Sequence, residues 1–177
     1  MLHLLAFSIC YRHFRSIIGI KMSFALPEEI IKNLSVSEGM HVADFGTGSG
    51  AYAILAGRQA GSSGRVYAID VNKELLVKVK TEAAHQKVFN VEIVWGDVET
   101  PGGTKLADKL VDRVVISNIL FQAEDKEGVA KEAGRILKPN GLALIVDWSG
   151  SYGGLGPKED AVVSKESAQK IFLNNGF

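Results

Sequence analysis

Three acidic residues and a run of glycines have the types and the spacing of a ligand site. Asp44 comes shortly before the segment Gly46-Thr47-Gly48-Ser49-Gly50, and Asp70 and Asp97 each follow a short apolar run. Glycines let the backbone turn sharply and approach a ligand, and such a turn can open a helix whose first amides face the site. Asp70 lies 20 residues beyond Gly50, where a carboxylate can accept two hydrogen bonds from a ribose diol. The pattern therefore predicts a site for a ligand that contains a nucleoside.

The glycine motif alone fits two kinds of ligand. Gly46, Gly48 and Ala51 also satisfy the dinucleotide pattern G-x-G-x-x-G/A, so a nicotinamide cofactor stays open on this motif. A carboxylate at Asp44 would repel a pyrophosphate, whereas it would attract a ligand that carries an ammonium and a sulfonium group. Asp97 is placed to accept a hydrogen bond from an exocyclic amine such as that of adenine. The acids therefore favour a positively charged nucleoside.

The elements that must position these residues alternate between strands and helices. Near-continuous apolar strands separated by amphipathic helices are typical of an α/β, doubly wound parallel sheet that is covered on both faces. Ligands of such sheets bind beyond the carboxyl ends of the strands, which is where the acids fall. The predicted strands are 41–45, 65–69, 91–95, 111–117 and 142–146. The predicted helices start at Pro27, at Ala51 and after caps at Asn72 and Ser164, and one more helix, with an apolar stripe from Val129 to Leu137, ends at the turn 138–141.

Five segments in order resemble the class I S-adenosylmethionine-dependent methyltransferases. They are VADFGTGSG (42–50), GRVYAID (64–70), VEIVWGD (91–97), VDRVVISNILF (111–121) and AGRILKPNGLALIVDW (133–148). The resemblance covers roughly residues 27–177 and implies a mainly parallel sheet of strand order 3-2-1-4-5. It also implies S-adenosylmethionine as the cofactor and methyl transfer as the reaction.

The same resemblance implies roles for individual residues. The residues that would cradle the methionine end of the cofactor are Asp44, Gly46, Thr47, Gly48 and Gly50. Asp70 would hold the ribose, Val71 would lie against the adenine, and Asp97 and Val98 would bind the adenine edge. The methyl-transfer side would be lined by Ser117, Asn118 and Phe121, and Asn118 would also contact the cofactor. Structural roles compete with these. Asp44 and Asp70 could cap turns or helices, Asn118 could be a turn residue, and Phe121 could be a packing residue.

No residue is assigned a catalytic or metal-binding role. Alignment of the nucleophile with the methyl group can supply much of the rate, so a thiol, amine or activated carbon needs no dedicated base. The four histidines are scattered singly and share no metal-ligand spacing. Cys10 is the only cysteine, which excludes a disulfide framework and is compatible with a reducing cytoplasm.

Composition restricts the class of protein further. The chain has 177 residues, of which 46% are hydrophobic and 23% are charged, so it can bury a core and is not a disordered chain. Beyond residue 21 the 17 basic side chains face 20 acidic ones. A slightly acidic domain has no general attraction to nucleic acid. The sequence shows no membrane-spanning segment, so we expect a cytoplasmic protein without a membrane partner.

Residues 1–21 and the chain's end are two departures from the family pattern. Residues 1–21 differ in composition from the rest, and we expect them to be an appendage that is disordered or that precedes a natural start at Met22. The domain would then comprise residues 22–177. The family's sheet ends in an antiparallel hairpin after the last helix, and no sequence for it follows Asn175-Gly176-Phe177. The strand 142–146 would then be an open apolar edge, through which we expect the chain to self-associate or to lose stability. The alternative is that residues 1–21, which are apolar, cover this edge.

The substrate is the least determined feature. The segment GTGSGAYAILAGRQAGSSGRVYAID resembles branches that act on tRNA adenines and isoaspartyl proteins, whereas FQAEDKEGVAKEAGRILKPNG resembles small-molecule branches, including the quinone-methylating enzymes. We favour a small-molecule acceptor. The alternatives are an RNA or protein acceptor, a nicotinamide-dependent oxidoreductase, and a non-catalytic or incomplete module that only binds the cofactor.

Overall fold

A computed structural model describes residues 26–152 and 156–177 in full, and the backbone of 3–10 and 18–23. Within these residues the strands and helices alternate from residue 41 onward, except that no helix lies between the strands that end at Trp95 and start at Val111. The strands are β1 (His3–Cys10), β2 (Ile18–Ser23), β3 (His41–Phe45), β4 (Arg65–Asp70), β5 (Val91–Trp95), β6 (Val111–Ser117) and β7 (Leu137–Trp148). The helices are α1 (Pro27–Ile30), α2 (Ala51–Ala60), α3 (Lys73–His85), α4 (Lys126–Ile136) and α5 (Lys165–Asn174), with 3-10 turns at Ile31–Leu34 and Glu159–Ala161.

The described strands form one sheet of order β2-β1-β7-β6-β3-β4-β5. Its last five members, β7, β6, β3, β4 and β5, pair in parallel. If β3 to β7 are numbered 1 to 5 along the chain, the order read from β5 to β7 is 3-2-1-4-5. The predicted strand order is therefore confirmed. The order reverses at β3, which has β4 on one side and β6 on the other, and this point is the expected position of a ligand site.

The amino-terminal strands differ from the sequence prediction. β1 pairs antiparallel with β7, from Leu4 opposite Trp148 to Cys10 opposite Leu142, and β2 pairs antiparallel with β1. Residues 3–10 and 18–23 therefore belong to the sheet, and β2 runs across the expected boundary at Met22. The expectation of an open edge at β7 is wrong, because β1 takes its free backbone hydrogen bonds. An antiparallel hairpin does flank the parallel strands, but it comes from the amino-terminal segment.

β7 is also longer than predicted. It starts at Leu137, opposite Val111, and its regular pairing with β6 resumes where Leu142 lies opposite Arg113. The predicted turn at 138–141 is thus an irregularity within the strand, and Asn140 adopts φ 66° there. Asparagine tolerates this left-handed conformation better than most residues do.

Two layers of helices cover the sheet, one on each face. The buried cluster on one face contains Ile30, Ile31 and Leu34 of the first helical segment together with residues of α2 and α3. The cluster on the other face contains the apolar stripes of α4 and α5. The predicted caps are confirmed, because the Asn72 side chain accepts from the amides of Glu74 and Leu75, and Ser164 accepts from that of Ser167. Among the described residues, no helix has the length and apolarity needed to span a membrane.

Candidate cofactor-binding site

The glycine loop connects β3 to α2 at the point where the strand order reverses. Gly46, Gly48 and Gly50 have φ values of 61°, 52° and 80°, a region that suits glycine. The amide of Thr47 donates to the carbonyl of Ile69 on β4 at 2.9 Å, which holds the loop against the neighbouring strand. The loop therefore lies across the carboxyl ends of both strands.

Two of these glycines are also required by close packing. A Cβ atom on Gly46 would lie 2.1 Å from Cδ1 of Ile119, which belongs to the loop after β6. A Cβ atom on Gly50 would lie 2.8 Å from both methyl groups of Val79 on α3. Gly46 lines the candidate site, whereas Gly50 packs under α3 and does not line the cavities described below. Gly50 thus has a role in helix packing, and its contact with the cofactor stays a prediction.

Asp44 is a buried acid at the end of β3. Its side chain is 2% exposed, and the Thr47 hydroxyl donates to Oδ2 at 2.7 Å. Burial raises the pKa of Asp44 to about 7, against the opposing effects of hydrogen bonds from Thr47 and from the backbone of Ala53. A carboxylate in this setting lacks a cationic partner among the described residues, so it would gain from a positively charged ligand group.

Asp70 connects the glycine loop to the start of α3. Its Oδ2 accepts from the amide of Gly48 at 3.1 Å, and its Oδ1 accepts from the amide of Asn72 at 2.8 Å. The capping role that competes with ribose binding is therefore present in the structure. Each carboxylate oxygen can accept more than one hydrogen bond, so these contacts fix the side chain while leaving acceptor capacity for a ligand.

A cavity of about 330 Å³ lies beside Asp70. Asp97 is on its rim, where Oδ1 accepts from the amide of Glu99 at 2.9 Å and Oδ2 accepts from the Thr100 hydroxyl at 2.9 Å. These bonds fold the loop after β5 back toward the site. The lining consists of Gly46, Gly48, Asp70, Val71, Leu75, Gly96, Asp97, Val98, Glu99, Ile119 and Gln122. We call it the Asp70 cavity.

A second cavity, of about 410 Å³, lies on the other side of the glycine loop. We call it the Asp44 cavity. The two cavities share Gly46, Gly48 and Gln122, so they flank one stretch of backbone. The lining of the second consists of Pro27, Asp44, Gly46, Thr47, Gly48, Ser49, Ala51, Tyr52, Ser117, Asn118 and Gln122.

Asn118 is the most unusual residue of the Asp44 cavity. It adopts φ 56°, its amide donates to the carbonyl of Val146 at 2.8 Å, and its buried Oδ1 has no hydrogen-bond partner within the described part of the chain. A buried polar atom without a partner is costly, and this one belongs to the lining of a cavity. It is a candidate acceptor for a ligand group. Next to it, the Tyr52 hydroxyl interacts with Ser117, and burial raises the pKa of Tyr52 to about 12.

Asp147, at the end of β7, holds the loop that carries Asn118. Its Oδ2 accepts from the amides of Leu120 and Phe121, at 2.9 and 3.3 Å, and its Oδ1 accepts from the amide of Trp148 at 2.8 Å. Burial raises the pKa of Asp147, although these amides oppose the shift. The carboxyl group thus fixes one wall of the Asp44 cavity from behind.

The structure brings together most of the residues predicted for the site. Ten of them line one or both cavities: Asp44, Gly46, Thr47, Gly48, Asp70, Val71, Asp97, Val98, Ser117 and Asn118. Gly50 and Phe121 line neither. Sequence reasoning missed Tyr52, Ile119 and Gln122. The positions of two of them in the sequence could have indicated the site. Tyr52 lies in the first turn of α2, directly after the glycine loop. Gln122 lies four residues after Asn118, and its side chain donates to the Asn118 carbonyl. No group of three or more metal-ligating side chains is present among the described residues.

A parallel sheet of this order, with a glycine loop and acids at the reversal point, defines a Rossmann-like nucleoside-binding domain. The sequence pattern of a family described as "Methyltransferase domain" matches residues 36–172. The chain belongs to this family, among the class I S-adenosylmethionine-dependent methyltransferases.

Individual relatives agree with this assignment. The crystal structure of a SAM-dependent methyltransferase from Aquifex aeolicus is similar, with a TM-score of 0.75, 28% identity, and coverage of 85% of this chain and 78% of that one. A demethylmenaquinone methyltransferase from Staphylococcus aureus is 29% identical over 78% of this chain. An arsenite methyltransferase from Halobacterium salinarum is 29% identical over 64% of this chain. The chain spans 56% and 28%, respectively, of the lengths of these two curated relatives.

Proposed function

We propose that this chain is an S-adenosylmethionine-dependent methyltransferase that acts on a small organic molecule in the cytoplasm. The observation that carries the proposal is the placement of Asp44 and Asp70 in two cavities that flank one glycine loop. The family assignment supports methyl transfer in general. The cofactor, the acceptor and the compartment are the proposed parts.

The residues present fit the cofactor in charge and in shape. Buried Asp44 would balance an ammonium group, and the unpartnered Oδ1 of Asn118 would accept a hydrogen bond on the same side. Asp70 would hold the ribose diol, while Val71, Asp97 and Val98 would surround the adenine. At Gly46, a Cβ atom would displace Ile119, which lies against both the loop and the Asp70 cavity. Glycine at position 46 therefore lets Ile119 pack against the loop, where it lines the Asp70 cavity.

A nicotinamide dinucleotide fits less well. Its pyrophosphate would have to lie at the glycine loop, next to Asp44 and within reach of the Asp70 carboxylate. Among the residues that line the two cavities, the positive groups offered to it are backbone amides, and one of them, that of Gly48, already donates to Asp70. Two carboxylates beside a diphosphate would oppose its binding. This is the physical reason for preferring the cationic cofactor.

When bound, S-adenosylmethionine supplies an activated methyl group that is transferred by direct displacement. The contribution of this chain is to hold the two reactants in line and to exclude water, and such positioning can supply roughly 7–11 kcal/mol. Asp147 fixes the wall formed by residues 118–121 through three backbone amides. Tyr52, Ser117 and Gln122 would orient the acceptor by hydrogen bonds. Burial raises the pKa of Tyr52 to about 12, so its hydroxyl stays protonated near pH 7 and, like the side chains of Ser117 and Gln122, is present in its neutral form.

The lining of the Asp44 cavity favours an uncharged organic acceptor. Besides Asp44, its described members are neutral: Pro27, Thr47, Ser49, Tyr52, Ser117, Asn118 and Gln122, with small apolar residues. A metalloid acceptor such as arsenite is held best by thiolates, which are soft ligands. Cys10 is the only cysteine, and β1 places it opposite Leu142. Leu142 is level with Val42 near the amino end of β3, at the other end of that strand from the glycine loop. An organic acceptor, of the kind named for the demethylmenaquinone relatives, is therefore preferred.

Binding and turnover test the proposal separately. Calorimetric titration should show binding of S-adenosylmethionine and S-adenosylhomocysteine and no binding of NAD. Transfer of labelled methyl groups should then be detected on a panel of quinols, phenols, amines and thiols, and not on RNA or protein. NAD binding without a response to the methionine-derived ligands would favour an oxidoreductase. Cofactor binding without turnover on any acceptor would favour the non-catalytic alternative.

A further inference from the structure

Exposed apolar side chains are concentrated on one edge of the molecule. Seven large hydrophobic residues are exposed in the described part of the chain, and five of them belong to β5, to α3 or to the segments next to these elements. Phe89 is the most exposed, at 79%, and Trp95 is 51% exposed. Single exposed hydrophobic residues need no explanation, but a local group of this kind marks an interaction site. The five residues are Val71, Val77, Phe89, Ile93 and Trp95.

Phe89 precedes the amino end of β5, and Trp95 lies at its carboxyl end. The indole Nε1 of Trp95 donates to the carbonyl of Val71 at 3.0 Å. Ile93 lies two residues earlier on β5 and therefore on the same face of the strand. β5 is the last strand of the described sheet at this end, so its outer edge faces away from the parallel strands. The indole thus connects the end of β5 with the loop that follows β4.

Lysine ammonium groups surround the apolar side chains. Nζ of Lys73 lies 3.9 Å from the centroid of the Trp95 ring, and Nζ of Lys105 lies 4.7 Å from it. Nζ of Lys80 donates to the carbonyl of Val91 on β5 at 3.3 Å. Lys73, Val77 and Lys80 are spaced by four and three residues on α3, so they share one face of that helix.

Few acids oppose these lysines. Glu92 on β5 pairs with Arg65 at 2.8 Å. The Asp97 carboxylate beyond Trp95 accepts from Glu99 and Thr100, within its own loop. Glu74 is exposed and lies three residues before Val77, so it borders the same face of α3 and offsets part of the charge of the two lysines there. The surface is therefore apolar and aromatic at its centre and cationic around it. We call it the Trp95 surface, defined by the five apolar residues above with Lys73, Lys80 and Lys105.

We propose that the Trp95 surface docks this protein on an anionic lipid bilayer. Exposed aromatic and aliphatic side chains bordered by lysines suit the boundary between acyl chains and headgroups, where the lysines meet anionic headgroups. This departs from the sequence-based expectation that the protein has no membrane partner. The contact is peripheral, and it is independent of the acceptor and of the methyl-transfer proposal.

Other occupants fit this surface less well. A second copy that used the same surface about a two-fold axis would bring its lysines against Lys73, Lys80 and Lys105. Pairing of β5 with another strand would have to displace Lys80 from the Val91 carbonyl, and lysines are a common means of protecting an edge strand. A nucleic-acid base stacked on Trp95 would compete with two ammonium groups for the ring. An anionic bilayer uses the apolar and the cationic side chains together.

Co-sedimentation with vesicles tests the proposal. The full chain is mixed with vesicles of phosphatidylcholine alone and with vesicles of phosphatidylcholine and phosphatidylglycerol in equal amounts. We expect at least a roughly tenfold higher affinity for the anionic vesicles, weakened by added salt, because each lysine near an anionic surface contributes about fivefold. The fluorescence of Trp95, followed in a Trp148→Phe background, should shift to the blue on binding.

Matched variants separate this surface from net charge. The triple variant Lys73→Glu, Lys80→Glu, Lys105→Glu should reduce binding to the level seen with phosphatidylcholine alone. The control triple Lys131→Glu, Lys158→Glu, Lys170→Glu has the same change in charge at exposed positions elsewhere in the chain, and it should bind nearly as well as the parent. Phe89→Ser with Ile93→Thr should weaken binding without any change in charge.

Several results would overturn the proposal. These are equal binding to the two kinds of vesicle, no binding to either, and an equal loss of binding in the two lysine triples. A dimer in sedimentation equilibrium that is disrupted by Phe89→Ser with Ile93→Thr would assign the surface to a second copy. Circular dichroism and titration with S-adenosylhomocysteine on each variant confirm that the fold and the cofactor site are unchanged.

Discussion

The amide nitrogen of Gly48 lies 3.1 Å from Oδ2 of Asp70, so the acid at the end of β4 ties down the glycine loop that follows β3. The other oxygen of the same carboxylate holds the amide of Asn72, which caps α3. One side chain therefore joins two strand ends and a helix start at the point where the sheet changes direction. The loop's shape and any ribose contact of Asp70 depend on the same carboxylate.

We predict that Asp70→Ala weakens cofactor binding strongly. Two charge-assisted hydrogen bonds to a ribose would be lost, which corresponds to about 2–5 kcal/mol of binding free energy. Titration calorimetry with S-adenosylhomocysteine measures the change. Asp160→Ala removes an exposed acid elsewhere in the chain and serves as the control. An affinity of Asp70→Ala within twofold of that of the parent would show that Asp70 does not hold the ligand.

A second prediction concerns the pH dependence of cofactor binding. Burial raises the pKa of Asp44 to about 7, so the carboxyl is mostly neutral below that pH and charged above it. A cationic ligand favours the charged form. Affinity for S-adenosylmethionine should therefore rise as the pH increases through about 7 and then level off, by up to about tenfold per pH unit below the pKa. Titrations across this pH range should show the rise in affinity for the parent. The Asp44→Asn variant should bind weakly, and its affinity should lack the part of the pH dependence that Asp44 causes. An identical pH profile in the two proteins would contradict the prediction.

The same carboxyl predicts how stability depends on pH without the ligand. Folded Asp44 keeps its proton up to about pH 7, whereas in the unfolded chain it loses it near the usual pKa of 3.8. The folded state therefore binds more protons between these values, and this contribution to stability falls as the pH rises from about 4 to about 7. Denaturant unfolding at several pH values should show the fall in the parent and a flatter profile in Asp44→Asn. A profile that is equally steep in both would show that Asp44 is ionised when buried.

Much of the parallel sheet and of the site could be predicted because both follow from local patterns. Each of the five strands is a near-continuous apolar run, and parallel strands bring their carboxyl ends to one edge. Asp44, Asp70 and Asp97, far apart in sequence, therefore had to lie near one another. The glycines between β3 and α2 marked the position of the loop.

Other features depend on partners that are distant in the sequence. The pairing of β1 with β7 joins residues 3–10 to 142–148, and no local pattern in an apolar run of this length names its partner strand. The composition of the chain changes near residue 21, and this change predicts a domain limit where the structure has a strand. Similarly, the contacts of Gly46 with Ile119 and of Gly50 with Val79 depend on how a loop and a helix pack, so glycines with similar φ values have different roles.

A fourth prediction separates the two reasons for glycine at position 46. Gly46→Ala places a Cβ atom 2.1 Å from Ile119 Cδ1 at a φ of 61°. Gly102 has φ 76°, and a Cβ atom there would have nothing within 4 Å, so Gly102→Ala measures the backbone cost alone. We expect about 1 kcal/mol of destabilisation for Gly102→Ala and a further 1–3 kcal/mol, roughly, for Gly46→Ala.

The control for this pair is a double variant. Ile119→Ala removes the side-chain atoms that a Cβ at position 46 would meet, so Gly46→Ala should cost less in that background than in the parent. Denaturant unfolding gives the four free energies that are needed. Equal costs of Gly46→Ala in the two backgrounds would show that Ile119 moves away freely and that only the backbone conformation requires glycine.

The last prediction concerns the amino-terminal hairpin. Deleting residues 1–23 removes β1 and β2 and leaves the β7 edge, from Leu142 to Trp148, without its antiparallel partner. Cross-strand pairs contribute about 0.2–1 kcal/mol each, and an unpaired apolar edge recruits other strands. We expect the deleted chain to melt at a lower temperature, to form oligomers in light scattering, and to lose protection from hydrogen exchange across 142–148. Adding a synthetic peptide of residues 1–23 should partly restore that protection if the loss is due to the missing partner strand. A monomer that keeps the parent's melting temperature and its protection at 142–148 would show that residues 24–177 form a complete domain, and that the hairpin adds nothing to its stability.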